Sequence, residues 1–398
     1  MSIPAALSRR RDYSGPAIFS YGFRPFFLGA AVWAALAILI WIPLYAGAFT
    51  WRSSLSPLDW HIHEMLYGYV PAVVAGFLLT AIPNWTGRLP VCGAPLAGLA
   101  LVWLSGRIAM LMGASIGVVT AATIDSGFLV LLLAVTLREV VAGKNWRNLR
   151  VLALILVLLA GNLVFHVEVI RFGAADYGPR IGIAAILLLI SLVGGRIIPS
   201  FTHNWMVREN PGRLPVSFGR FDGAVIVLSA ITFASWIAAP EAPVTGVLMI
   251  LAGILHVVRL ARWAGDRTFR DRLVLVLHVA YAFVPIGFLL MGAAVLWPEH
   301  APDSAGIHAW TAGAIGMMTM AVMTRASLGH TGQGLVASPM TQAIYACLLV
   351  AAILRIIAAC TGSMALIHTS GTAWILAFGG FAAVYGPKLI SRKPVWQR

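Results

Sequence analysis

The sequence predicts an all-α membrane protein of twelve transmembrane helices, and three observations predict it. The chain has 398 residues, of which 60% are hydrophobic and only 11% charged, with a mean hydropathy of +0.88. A soluble domain is about half apolar and about a quarter charged, and a soluble fold of this length has too little interior to hide the excess. Second, apolar runs of roughly 20 residues recur from end to end, the length at which a helix crosses the hydrocarbon core. Barrel strands are about half that length and alternate in polarity. Third, the Lys and Arg residues fall in the short gaps between runs, mostly on alternate gaps. The net charge of +14 therefore describes membrane flanks, not a nucleic-acid surface, and the composition excludes disorder and a water-soluble enzyme.

The chain opens on Arg9, Arg10, Arg11 and Arg24 with no apolar core between them. This is neither a cleavable signal nor a twin-arginine leader, because Asp12-Tyr13-Ser14-Gly15-Pro16 follows the arginines. The first apolar run, 25–48, is thus a true span. The second, 58–84, opens on His61-Ile-His63-Glu64. The third, 92–113, encloses Arg107, and the fourth, 116–142, encloses Asp125. The fifth, 149–172, carries His166 and Glu168 near its end. The sixth, 179–203, contains Arg196 and ends at His203. The seventh, 220–239, has no histidine. The eighth and ninth, 243–264 and 273–297, hold His256 and His278. The tenth, 304–328, opens on His308 and is followed by His330. The eleventh, 338–361, encloses Arg355, and the twelfth, 369–390, follows His368. The gaps are short, so one polytopic membrane domain fills residues 1–398, with a basic cytoplasmic tail over about 1–24.

With the N-terminus inside, twenty-one Lys and Arg residues face the cytoplasm, from Arg9 to Arg398, and only Arg52, Arg171 and Arg180 face outward. This asymmetry predicts both termini in the cytoplasm. Arg107, Arg196, Arg325 and Arg355 lie within spans, where a charge is costly unless it faces the bundle interior or a partner. Trp41, Trp51, Trp60, Trp85, Trp205 and Trp297 read as interfacial anchors. Cys92, Cys347 and Cys360 show no paired spacing and read as small buried hydrophobes.

The ends of spans 2, 6 and 10 align, with Thr86, Thr202 and Thr331 in register. Trp85, Phe201 and His330 also align, as do Thr80, Arg196 and Arg325. Each interval equals four spans, which predicts three parallel four-helix units in a pseudo-threefold array.

The topology groups the histidines by side. His61, His63, His166 and His308 fall at outer span ends, and His203, His256, His278 and His330 fall in inner halves or at inner ends. Neutral imidazole is a common ligand of copper and an axial ligand of haem. On one ideal helix, position 63 points about 160° away from position 61. Either His61 lies in an irregular lead-in, or the two imidazoles serve different sites. Metal ligation is expected at His61, His63, His166 and His308, with His330 and His278 as a second, inner candidate. A hydrogen-bonded packing role for each histidine, a helix cap at Glu64 and a turn cap at His330 are the plain alternatives.

At these motifs the sequence resembles the NnrS family. The segments that carry the likeness are Tyr21-Gly-Phe-Arg-Pro-Phe-Phe27, Trp60-His-Ile-His-Glu-Met65 and Gly76-Phe-Leu-Leu-Thr-Ala-Ile-Pro-Asn-Trp-Thr-Gly87. Gly194-Gly-Arg-Ile-Ile-Pro-Ser-Phe-Thr202 and Met323-Thr-Arg-Ala-Ser-Leu-Gly-His-Thr-Gly332 complete it. The resemblance implies a bacterial inner-membrane protein that contains b-type haem and copper and acts in nitric oxide metabolism, in denitrification or defence against nitrosative stress. It maps cofactor binding onto His61, His63, His308 and His330, and catalytic roles onto Glu64, Arg196 and Arg325. His203 stands where an arginine is often expected and is set aside. A second resemblance is architectural: the catalytic subunit of haem-copper oxidases also has twelve spans, with histidines at outer ends of spans 2 and 10. Its copper histidines in spans 6 and 7 have no counterpart here, so copper would be held differently, with His166 a candidate.

The expected function is binding or conversion of nitric oxide at a haem/metal centre in the bilayer, with an electron donor that the sequence does not name. Glu64 and Glu168 are candidates for proton handling. A solute or ion transporter is the alternative from another class, and a haem or metal handling protein without turnover is a third.

Overall fold

A computed structural model describes residues 13–49, 51 and 53–392. Arg9, Arg10, Arg11, Arg52, Lys393 and Arg398 of the flank count lie outside the described residues, as does the first half of the expected basic tail. Among the described residues the protein is helical throughout, with no strand. Eleven helices are long and apolar enough to cross a membrane. They are α1 Phe23–Tyr45, α2 Pro57–Thr86, α3 Ala94–Leu111, α4 Val118–Ala142, α5 Leu149–Phe172, α6 Tyr177–Glu209, α7 Arg220–Ala238, α8 Pro243–Ala261, α9 Arg272–Leu296, α11 Pro339–Thr361 and α12 Met364–Ile390. A further element, α10, is one uninterrupted helical stretch over 303–331 where the tenth span was predicted. It is not among the eleven. Four glycines (Gly306, Gly313, Gly316, Gly329), four threonines (Thr311, Thr319, Thr324, Thr331), His308 and Arg325 dilute its apolar character.

Local chemistry sets the ends. Ser56 caps α2, its hydroxyl accepting from Asp59 N–H at 3.0 Å ahead of Pro57 in the first turn, where a missing N–H costs nothing. Asp271 caps α9 through the N–H groups of Leu273 and Val274. Gly173, at φ 81°, ends α5 in the left-handed conformation that L side chains avoid. Helix α6 runs six residues beyond the predicted end at 203, because no breaker occurs before Pro211-Gly212.

The chain forms two compact units. One comprises Met1–Gly182, Met323–Gly334 and Phe378–Arg398, and the other Ile183–Val322 and Leu335–Ala377. In the first unit α1 packs on α2, α3 on α4, and α4 on both α2 and α5. The Tyr21–Phe27 motif fastens this unit. Arg24 is buried and donates to the carbonyls of Leu389 at 2.7 Å and Ser391 at 2.8 Å, satisfying groups that the end of α12 leaves open. Phe23 N–H donates to Thr80 Oγ1 at 3.1 Å. In the second unit α8 packs on α7 and α9, and α10 on α9 and α11.

Two features bear on the predicted repeat. Thr86, Thr202 and Thr331 each donate to the carbonyl four residues back, on Ile82, Ile198 and Ser327. His63 and His308 each directly precede a π-helical segment, Glu64–Tyr69 and Ala309–Ile315. Their separation, 308 − 63 = 245, equals that of the aligned threonines, 331 − 86 = 245.

Candidate metal centre

The first unit buries a polar cluster at one end of α2, α3, α4 and α5. His63 lies near the start of α2 and Asp125 near the start of α4. Arg107 lies near the end of α3, with Asn162 and His166 near the end of α5. Antiparallel neighbours bring these positions to one depth, and all five side chains are buried together with Glu64.

His63 Nδ1 is 2.9 Å from Glu64 Oε1. Since the carboxylate only accepts, Nδ1 carries the proton, and Nε2 of the neutral ring presents its lone pair. That nitrogen faces Asp125 Oδ2 at 3.2 Å and Asn162 Oδ1 at 3.2 Å. Asn162 turns its oxygen there because its Nδ2 donates to Asp125 Oδ2 at 2.8 Å. His166 Nε2 approaches the same Oδ2 at 3.0 Å. With His63 neutral, three acceptor atoms face one another, and only a cation between them, a proton or a metal ion, makes the arrangement favourable. The ligand atoms of His63, Asp125 and His166 lie within 4.8 Å of one another, a span suited to bonds of about 2.0–2.2 Å.

Charge counting agrees. Arg107 donates to Glu64 Oε2 at 2.6 Å and pairs with Asp125 Oδ1. Trp33 Nε1 also donates to Glu64 Oε2, at 2.7 Å. Two carboxylates against one guanidinium leave one net negative charge in a dry interior when both imidazoles are neutral. Buried uncompensated charge is strongly unfavourable. The Glu64–His63 contact also has the form of the carboxylate–imidazole couple that orients metal-bound histidines.

The remaining expected residues stand elsewhere. His61 points away from the cluster and stacks on Trp41, ring centroids 4.1 Å apart, so the two imidazoles of the motif have different surroundings. His330 lies beside the rings of Tyr21 and Phe23, at 5.5 Å from each. In the second unit, His308 Nδ1 donates to Ser304 O at 2.6 Å, and His278 Nε2 contacts Thr202 Oγ1 at 2.9 Å. Arg196 sits over the Phe218 ring, and Arg325 is half-buried in α10. Glu168 is a cap: it accepts the N–H groups of Asp176, Tyr177 and Gly178 at the start of α6. The group His63, Asp125 and His166 is the one cluster of three or more metal-ligating side chains found among the described residues.

Sequence reasoning placed His63 and His166 at one depth but missed the parts played by Asp125, Arg107 and Asn162. For Arg107 and Asp125 the available signal was charge inside apolar runs, since they are eighteen residues apart in consecutive helices that pack on each other.

A multi-helix protein of membrane-spanning character with a buried two-histidine, one-carboxylate cluster is the class that fold and site define. The model of the NnrS protein family matches residues 17–393, and the chain belongs to the NnrS family. No curated protein and no solved structure matches it.

Proposed function

We propose that this protein is a bacterial inner-membrane metalloprotein that binds or converts nitric oxide, with copper at His63, His166 and Asp125. The observation that carries the reading is the convergence of His63 Nε2, Asp125 Oδ2 and Asn162 Oδ1, beside His166, in a buried cluster where two carboxylates meet one guanidinium. Imidazole nitrogen suits copper, and family membership supplies the nitric oxide context. When bound, copper supplies a redox-active centre that coordinates small ligands. Glu64 holds the Nδ1 proton of His63 and fixes the lone pair toward the site. Arg107 balances Glu64 and holds Asp125 in place, and Trp33 completes the Glu64 carboxylate. The apolar walls admit nitric oxide from the bilayer and keep bulk water out.

Haem, b-type in this reading, belongs with His308 of the second unit, one of the residues onto which the family motifs map cofactor binding. The Nδ1–H···O=C bond from His308 to Ser304 fits that role, because it leaves the Nε2 lone pair with which the ring would hold an iron. Arg196 and Arg325 stay as catalytic candidates on the family motifs alone. The twelve-span, three-repeat arrangement with both termini cytoplasmic belongs to this proposal. It is supported by the matched His–π segments at 63 and 308.

The test is metal analysis with oxidised and reduced optical spectra of the purified protein, alongside His63→Ala and His166→Ala. We expect copper in the wild type and under a tenth of it in either variant, with haem absorbance retained. A wild type with no metal and no Soret band would return the protein to the transporter class.

A further inference from the structure

The second unit holds a cavity of about 650 Å³, formed by the ends of α8 and α9 and the turn between them. Leu260, Leu275, Val279 and Phe269 make its lining largely apolar, with Arg213 and Asp266 the charged members. Arg213 is committed, since it donates to both oxygens of Asp266 at 2.5 and 2.6 Å, so no free cation is offered to a phosphate. One further polar side chain reaches this space. His278 lines the cavity, is 5% exposed, and its Nδ1 has no hydrogen-bond partner.

The protonation of that ring follows from its neighbour. Thr202 donates its hydroxyl proton to Ile198 O at 2.8 Å. It must therefore accept at 2.9 Å from His278 Nε2, which places the ring proton on Nε2 and a lone pair on Nδ1. An unpartnered buried acceptor is unfavourable, and only a donor relieves it. Gly265, which also lines the cavity, lies against this nitrogen, and a Cβ there would stand 2.5 Å from Nδ1. Gly265 begins the single 3-10 turn Gly265–Arg267, and Ala264 before it has φ 56°, a left-handed conformation that a residue with a Cβ adopts at a cost. The cover over the nitrogen is one short turn on a strained hinge.

We propose that this cavity binds a quinol head group, its hydroxyl donating to His278 Nδ1, and selects the quinol over the corresponding quinone. The apolar lining takes the ring and the start of an isoprenoid tail, as small-ligand pockets do, and the Gly265 turn yields outward to let the hydroxyl in. A quinone carries only carbonyl acceptors at that position, so its oxygen would meet the Nδ1 lone pair. A site with this preference recognises the reduced form of a lipid-soluble electron carrier. The inference rests on the second unit alone and does not require the copper centre.

The test uses the full chain in phosphatidylcholine nanodiscs, with decyl-ubiquinol and decyl-ubiquinone as probes, kept anaerobic and measured by equilibrium dialysis. Wild type is expected to hold the quinol roughly tenfold more tightly than the quinone, the discrimination that one satisfied buried hydrogen bond provides. Gly265→Ala should lose binding of both forms, by at least roughly tenfold. Thr202→Val frees the ring proton to move to Nδ1 and should bring the two affinities together while binding persists. His278→Phe should abolish the preference. Equal affinities in wild type, or a preference unchanged in the Thr202 and His278 variants, would overturn the proposal. So would displacement of the probe by phosphatidylglycerol, which identifies a lipid seat. The assay contains no added metal or nitric oxide, so its failure leaves the copper reading standing.

Discussion

Asp125 is the residue on which the candidate centre turns, because its two oxygens face different chemistry. Oδ1 pairs with Arg107, and Oδ2 accepts from Asn162 Nδ2 and faces both imidazoles. Asp125→Asn keeps the shape but removes the anionic ligand. We expect copper content under a tenth of wild type by metal analysis, with helical circular dichroism unchanged. Glu64→Gln tests the outer layer: it keeps a contact to His63 but weakens its orientation, and should lower copper affinity by about 10–100-fold, read by competition with a chelator. These residues also show what was legible in advance. The depth of His63 and His166 followed from span ends. Asp125 and Arg107 registered as charges inside spans, since periodicity names a face but not the helix that will cover it. Asn162 gave no signal, because a neutral amide in an apolar run predicts nothing by itself.

At the scale of elements, the π-helical segment Glu64–Tyr69 carries the Glu64 carboxylate that holds His63 and brings α2 close to α3. Gly68 makes the approach possible. A Cβ there would collide with the Arg107 guanidinium and stand 2.8 Å from Glu64 Oε2. Gly68→Ala should therefore destabilise the protein by about 1–3 kcal/mol, the usual cost of overpacking a filled core, measured by thermal unfolding in detergent. In the second unit the corresponding stake is the fully buried Arg259, which donates to Asp222 at 2.8 Å and to Tyr281 at 2.7 Å. Sequence reading counted Arg259 among the inner flank charges, since the last turn of a span looks the same whether its arginine reaches solvent or a buried carboxylate. Asp222→Ala strands the guanidinium and should cost about 3–5 kcal/mol. Adding Arg259→Met should recover much of that loss, because the uncompensated charge leaves with it. An additive double variant would show that the two side chains act independently.

For the whole molecule the open quantity is the parity of membrane crossings, and the first unit bears on it. Arg24, at the start of α1, donates to carbonyls of Leu389 and Ser391 at the end of α12. Ends that share hydrogen bonds lie on one side of a bilayer, and a chain that returns to its starting side crosses an even number of times. Eleven helices are long and apolar enough to cross, and the proposed even total takes the continuous helix 303–331 as the twelfth. At ~1.5 Å per residue it is long enough to span, and its modest apolarity matches its many buried side chains, which face protein rather than lipid. The basic residues agree, since Lys388 and Arg392 lie at the end of α12 as Arg24 lies at the start of α1, and basic flanks favour the cytoplasm. The expected outcome is that a cytoplasm-active reporter fused after residue 398 is active and one inserted at Gly362, between α11 and α12, is silent, with an exported reporter giving the reverse. Activity of the exported reporter at the C-terminus would remove 303–331 from the crossings. With it would go the basis for treating the two His–π segments as copies of one design.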